Sequence, residues 1–220
     1  MRAVERDVIP DVARQERTGQ PEVIYGPGKS PEQVLEVAHV LVDAGVRPVL
    51  LTRPTPEQVD AVLGEEPEAA YHERANVVVI RPAAADAAAG RIAVVAAGTS
   101  DLPVADEAAV VAEAFGLAVE RITDVGVAGV HRMIERVPTL QQTDCVIVVA
   151  GMEGALPSVV AGLISAPVIA VPTSVGYGAS FEGLAALLGM LSSCVPGVLT
   201  VNIDNGLGAA MAAHRIVGRR

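Results

Sequence analysis

The chain has 220 residues, 51% of them hydrophobic and only 2% aromatic, with no tryptophan. That is enough apolar material for one ordinary domain or two small ones, with cores of Ala, Val, Leu and Ile and further surface buried between subunits. Twenty-six acidic against 16 basic residues give a formal charge of −10, which argues against nucleic acid and anionic membranes as partners.

The first elements alternate. "PEVIYG", "PEQVLEVAHVLVDAG", "RPVLLTR", "PEQVDAVLG" and "NVVVIRP" read as a small α/β domain over residues 1–85, of unassigned role. The Ala-rich "PAAADAAAG" (82–90) is the expected linker. The opening "MRAVERDVIPDVARQER" is charged and has no apolar segment, so no secretory leader is expected. "YGPGKS" (25–30) lacks the glycine that a phosphate-binding P-loop needs five residues before Gly28; Val23 stands there.

From Arg91 the rhythm becomes regular. "RIAVVAAG" precedes "DEAAVVAEAFG", "LAVERITDV" precedes "GVHRMIERV", "DCVIVVAG" precedes "GALPSVVAGLI", "PVIAVPTS" precedes "FEGLAALLGMLSS", and "GVLTVNID" precedes "GLGAAMAAHRIV". These strand-then-helix units, with apolar runs that alternate little, predict a doubly wound parallel sheet covered on both faces, a flavodoxin-like three-layer α/β domain over residues 86–220. The uncharged stretches on either side of Glu182 are not membrane spans, because Pro157, Pro167, Pro172 and Pro196 punctuate them. In such folds ligands bind beyond the carboxyl ends of the strands.

Candidate chemistry therefore sits just after the apolar runs. Thr99, Ser100 and Asp101 of "GTSDLP" occupy a strand-to-helix turn, where they serve a ligand's phosphate or hydroxyl or simply cap the helix. His131 and Arg132 open a helix and also fit an ordinary surface pair. Glu153 stands alone between glycines, either solvated or an acid/base group. Cys145 opens a strand and packs as a small hydrophobe. Cys194, in "SSCVPG", ends a Leu-rich run before Pro-Gly. A helix C-terminus does not favour a thiolate, so activation there needs other neighbours, and a structural cysteine is the alternative. Two cysteines form neither a disulfide framework nor a zinc motif, and a reducing cytoplasm is the expected compartment. His39, His72 and His214 have no metal-ligand spacing, and Asp204 and Asn205 fit a helix cap.

Together "GTSDLPVADEA", "DVGVAGVHR", "VAGMEGALPSVVAGL" and "VPTSVGYGASFEGLAALLGMLSSCVPGVLTVNIDNGLGAA" resemble the LarB family of nickel-pincer-cofactor biosynthesis carboxylases. The resemblance covers residues 91–216 and continues weakly upstream through "RTGQPEVIYGPGKSPEQ". It extends more distantly to the PurE aminoimidazole ribonucleotide carboxylases, through "GTSD" and "VHR". Where PurE has a histidine-bearing GGAAHLPG loop, this chain has "AGMEGALPS" with Glu153, and PurE has no counterpart of Cys194.

The LarB resemblance implies carboxylation of nicotinic acid adenine dinucleotide at C5 of its pyridinium ring, with CO2 as co-substrate. It also implies phosphoanhydride cleavage to pyridinium-3,5-biscarboxylic acid mononucleotide and AMP. It assigns Cys194 as covalent nucleophile and Glu153 as acid/base. Thr99, Ser100 and Asp101 then hold ribose or phosphate, and His131 and Arg132 lie near the phosphates. Ser174, Tyr177 and Gly178 line the neighbouring loop. Mg²⁺ is the metal such a cleavage commonly uses, although the sequence assigns it no ligands. Neither flavin nor haem is expected, since there are too few aromatics to stack an isoalloxazine. A homo-oligomer is expected, an octamer by resemblance, with "LAALLGML" buried inside it. Two alternatives stay open: a PurE-type carboxylase or mutase independent of Cys194, and a nucleotide-binding module without turnover.

Overall fold

The computed structural model describes residues 8–85 and 90–218. Residues 86–89, the middle of the expected linker, and the first seven residues of the opening lie outside the described residues. The chain divides into two compact units, Met1–Ala83 and Ala84–Arg220.

In the first unit, β1 (Val23–Tyr25) pairs in parallel with β2 (Val49–Thr52). β2 pairs antiparallel with β4 (Val77–Ile80), and β4 pairs antiparallel with β3 (Ala69–His72). The sheet order is β1-β2-β4-β3. A short α1 (Arg14–Thr18) precedes it, and α2 (Pro31–Asp43) and α3 (Pro56–Glu65) follow β1 and β2.

Both longer helices start with the same device. Ser30-Pro31-Glu32-Gln33 and Thr55-Pro56-Glu57-Gln58 are reciprocal capping boxes with proline at the first helical position. Gln58 is buried and also donates from Nε2 to the carbonyls of Gly26 (2.9 Å) and Lys29 (2.7 Å). The "GPGK" turn is thus tied to α3 by an internal hydrogen-bond network. β3 and α1 were not foreseen from sequence: α1 buries no side chain, and β3 has its two central residues exposed.

The second unit carries β5 (Arg91–Ala96), β6 (Ala118–Ile122), β7 (Cys145–Ala150), β8 (Val168–Pro172) and β9 (Val198–Thr200). All are paired in parallel in the order β6-β5-β7-β8-β9. The helices between them are α4 (Leu102–Ala114), α5 (Val130–Ile134), α6 (Val137–Leu140), α7 (Leu156–Ala161), α8 (Leu184–Leu191) and, last, α9 (Gly206–Val217). This is the flavodoxin-like doubly wound sheet, with α4 and α9 packed together on one face and α5–α8 on the other.

Alternation along the buried strands feeds the two faces. Ala93, Val95, Val146, Val148, Val168 and Ala170 join Met133, Leu140, Leu156, Val160 and Met190 in one cluster, while Ile92, Val94, Ile147 and Ile169 turn to the other side. On that other side α4 and α9 meet through alanines (Ala105, Ala108, Ala109 and Ala112 with Ala209, Ala210 and Ala213), which explains a core that does without large aromatics. Arg121 on the edge strand β6 bridges Asp106 (2.9 Å) and Glu113 (2.8 Å) of α4, a half-exposed contact contributing about 1 kcal/mol or less. Among the described residues no helix is long and apolar enough to cross a membrane.

Burial acts on two titratable groups in this unit, Cys145 and the partly buried His214. Burial pushes the Cys145 thiol up to about 12, so it packs as an inert hydrophobe. His214 stacks on Phe115 with ring centroids 4.6 Å apart, and its Nδ1 is buried without a hydrogen-bond partner. Burial holds its pKa below the ordinary histidine value. The unfolded chain therefore takes up a proton at His214 before the folded chain does, and stability falls as pH drops below about 6.5. Denaturation midpoints measured between about pH 7.5 and about pH 5.5 should fall more steeply for the wild type than for His214→Gln.

Candidate active site

Between β5 and β7 the chain changes winding direction. α4 leaves β5 toward β6, whereas α7 leaves β7 toward β8, so a crevice opens beyond the carboxyl ends of these two central strands. A cavity of about 380 Å³ fills it, walled by 97–101 after β5, Asp124 and 126–128 after β6, 150–153 with Ala155 and Leu156 at and after the end of β7, and Val175 after β8.

These loops are stitched together by backbone. Ala97 N–H donates to the Val149 carbonyl (2.9 Å), Gly126 N–H to Ala97 (2.8 Å) and Met152 N–H to Val175 (2.9 Å). Gly151 is required by the last approach, because a Cβ there would lie 2.3 Å from the Val175 carbonyl oxygen. Gly189 of α8 serves the same end: a Cβ on it would lie 2.5 Å from the Glu153 carbonyl oxygen. The Glu153 backbone is thereby pressed onto α8 while its side chain stays exposed in the cavity wall.

Thr99 and Ser100 are exposed in the same wall; Asp101 is buried. One Asp101 carboxylate oxygen accepts Gly98 N–H (2.9 Å) and the other accepts the Thr173 hydroxyl (2.7 Å) at the end of β8. Asp101 therefore fixes the "GTSD" turn and joins it to the β8 loop. Arg132 pairs with Asp124, which itself lines the cavity, while His131 is exposed on α5. The lining residues carry three carboxylates (Asp101, Asp124 and Glu153) and no basic side chain. Among the described residues no three His, Cys, Asp or Glu side chains gather as ligands for a metal ion.

The remaining candidates lie outside the cavity wall. Ser174 donates its N–H to the Asp204 carboxylate (2.8 Å), and Tyr177 and Gly178 follow on an exposed loop. Cys194 is exposed in the connection from α8 to β9. That connection leads into the amino end of β9, whereas the cavity lies beyond the carboxyl ends of β5 and β7. Its neighbour Ser193 meets Ser158 of α7, hydroxyl to hydroxyl at 2.7 Å. Glu153, Thr99, Ser100 and Asp101 are brought together; Cys194 does not join them within one protomer. Asp124 and Thr173 were not singled out from sequence, although the stretches holding them were marked as strand-end loops.

Residues 91–220 match the AIR carboxylase family, and residues 8–82 match the LarB/PurE-like N-terminal domain. The chain belongs to the AIR carboxylase family. Its two domains are those of LarB with a PurE-like C-terminal domain, and it is an enzyme of carboxylase or mutase type. An uncharacterized protein of Methanocaldococcus jannaschii is 39% identical over 217 residues, covering 94% of this chain and 82% of the relative. The N5-carboxyaminoimidazole ribonucleotide mutase of the same organism is 37% identical over 131 residues (57% of this chain, 78% of that one). The mutase of that name from Pyrococcus horikoshii is 35% identical over 135 residues (58% and 72%). Both mutases match little more than half of the chain.

Thr173→Val removes a donor from a buried carboxylate. It should cost about 1–3 kcal/mol in urea unfolding, whereas Thr173→Ser should retain most of that stability.

Proposed function

We propose that this enzyme carboxylates the pyridinium ring of nicotinic acid adenine dinucleotide at C5 and cleaves the phosphoanhydride, using CO2 as co-substrate and Cys194 as covalent nucleophile. The observation that carries this reading is the pairing of a PurE-like cavity with Glu153, rather than a histidine, in the β7 loop, in a chain that also exposes a cysteine and carries the LarB-type first domain.

The chemistry needs both side chains. A pyridinium ring is electrophilic and does not attack CO2. Addition of the Cys194 thiolate at C4 turns it into an enamine, nucleophilic at C5, and C5 then forms the carbon–carbon bond to CO2. Glu153 takes the C5 proton, the thiolate leaves, and aromaticity returns. Water then adds to the phosphoanhydride, releasing AMP and leaving the biscarboxylated mononucleotide. A thiolate is both a strong nucleophile and a competent leaving group, which neither a serine nor an amine matches near neutral pH. Thr99 and Ser100 offer hydroxyls to ribose or phosphate at the head of α4, with Asp101 holding the turn. Arg132 reaches phosphate by exchanging its Asp124 partner, and His131 lies on the same short helix.

Because Cys194 lies outside the cavity of its own protomer, the reading includes a homo-oligomer in which a second copy brings Cys194 to the site; by family resemblance the assembly is an octamer. Leu184, Leu188 and Leu191 are exposed at helical spacing on α8, beside the exposed Leu199 of β9, in a stretch free of charge from Gly183 to Ile203. Copies that each carry −10 meet there with the least repulsion.

Purified protein incubated with nicotinic acid adenine dinucleotide and ¹³C-bicarbonate should yield labelled biscarboxylated mononucleotide and AMP by mass spectrometry. Cys194→Ala should abolish the label, and Glu153→Gln should slow it about 10²–10⁴-fold. No labelled product from the wild type would refute the reading. Labelled carboxyaminoimidazole ribonucleotide formed from aminoimidazole ribonucleotide, undiminished in Cys194→Ala, would establish the PurE-type alternative that the two mutase relatives favour.

A further inference from the structure

We propose that the loop after β8 is a stacking platform for the adenine half of the substrate, with Tyr177 and Phe181 as its rings; the inference rests on the dinucleotide reading above and adds a subsite to it. The chain has only five phenylalanines and tyrosines; Tyr25 (51%) and Tyr71 (36%) are exposed in the first unit, but the two most exposed, Tyr177 at 81% and Phe181 at 71%, stand on this one loop. A chain so poor in aromatics gains nothing in its core by leaving them in solvent.

The backbone that presents them is costly. Phe181 (φ 43°) and Glu182 (φ 52°) are consecutive non-glycine residues in the left-handed region, each costing on the order of 1–3 kcal/mol. Such strain persists only where the surroundings impose it, and here they do. Ser174 N–H is held by Asp204 (2.8 Å) and Ser180 N–H by the Tyr177 carbonyl (3.1 Å). Ser180 is buried, and Gly183 packs so closely on Thr173 that a Cβ there would lie 2.6 Å from its carbonyl oxygen. Both ends of the loop are thus anchored and the two rings are offered outward, an arrangement that lowers the ordering cost of binding.

Position and size select the ligand. The loop starts at Val175, which lines the cavity and accepts Met152 N–H. The cavity, about 380 Å³, is at the small end of the range for drug-sized ligands, about 300–1,000 Å³, so one half of a dinucleotide remains at its rim. Its lining holds hydroxyls and carboxylates and no ring, which suits ribose and the charged pyridinium but gives a neutral purine nothing to stack on. Tyr177 and Phe181 supply that surface just outside, where each base–aromatic stack is worth about 1–3 kcal/mol.

Calorimetric titration with AMP tests the platform without turnover. AMP should bind the wild type, bind Tyr177→Ala and Phe181→Ala about tenfold more weakly or worse, and bind Tyr177→Phe within about twofold of wild type. Sedimentation of the same variants should show an unchanged oligomer. Unaltered AMP affinity in both alanine variants would overturn the platform, as would wild-type protein that does not bind AMP. A loss of assembly in the variants would also overturn it, identifying the rings as a contact between copies. Because AMP binding requires neither Cys194 nor CO2, the platform can fail while ¹³C incorporation succeeds, and the two failures remain distinct.

Discussion

Everything in the catalytic domain depends on the parallel pairing of β5 with β7 at the centre of a five-stranded sheet. Parallel strands need crossover helices, and the two central strands send theirs in opposite directions. The loops at their carboxyl ends therefore splay apart and leave a crevice that no side chain of the core fills. The all-aliphatic core lets α4 and α9 pack closely through alanine on one face, and the strand-end loops are then drawn together by backbone hydrogen bonds and by the buried Asp101 carboxylate. The site is a consequence of the winding, and its rigidity comes from that carboxylate and from the close approaches that Gly151 and Gly189 permit.

The side chains that line the cavity make it acidic. Asp101, Asp124 and Glu153 face or flank the cavity, and the nearest cation assigned to it, Arg132, is already paired. A phosphate-bearing ligand must draw Arg132 from Asp124 or rely on backbone N–H groups at the head of α4. A cationic ring, by contrast, would meet the exposed Glu153 carboxylate, since Asp101 is held by Gly98 and Thr173 and Asp124 by Arg132. The same chain exposes a leucine stripe on α8 and Leu199 on the edge strand β9, and carries Cys194 on the side of the sheet where β9 begins.

Much of this was legible in the residues. The five strand-then-helix units follow from continuous apolar runs ending in glycine, and both capping boxes are written as S/T-P-E-Q. Glu153 and the "GTSD" turn stand after strands, which is where a parallel sheet places its ligands. β3 was not legible because an exposed edge strand such as "AAYH" carries no alternating apolar signal, and α1 was not because it buries nothing. The partnership of Asp101 with Thr173 joins residues 72 apart in sequence, and no local pattern reports it. The side of the sheet on which Cys194 lies is different: the order helix then strand already sets its connection opposite the "GTSD" turn. A site that uses Cys194 together with Glu153 therefore calls for two copies.

That requirement gives the most direct measurement. Cys194→Ala and Glu153→Gln chains, each inactive or nearly so alone, would be co-expressed with different tags, purified as mixed assemblies, and assayed for ¹³C incorporation into the biscarboxylated mononucleotide. If a neighbouring copy supplies Cys194, some sites in the mixture hold both native side chains, and activity should return to a substantial fraction of wild type. Mixed assemblies that stay as inactive as their parents, while wild-type chains carrying the same tags remain active, would contradict the shared site.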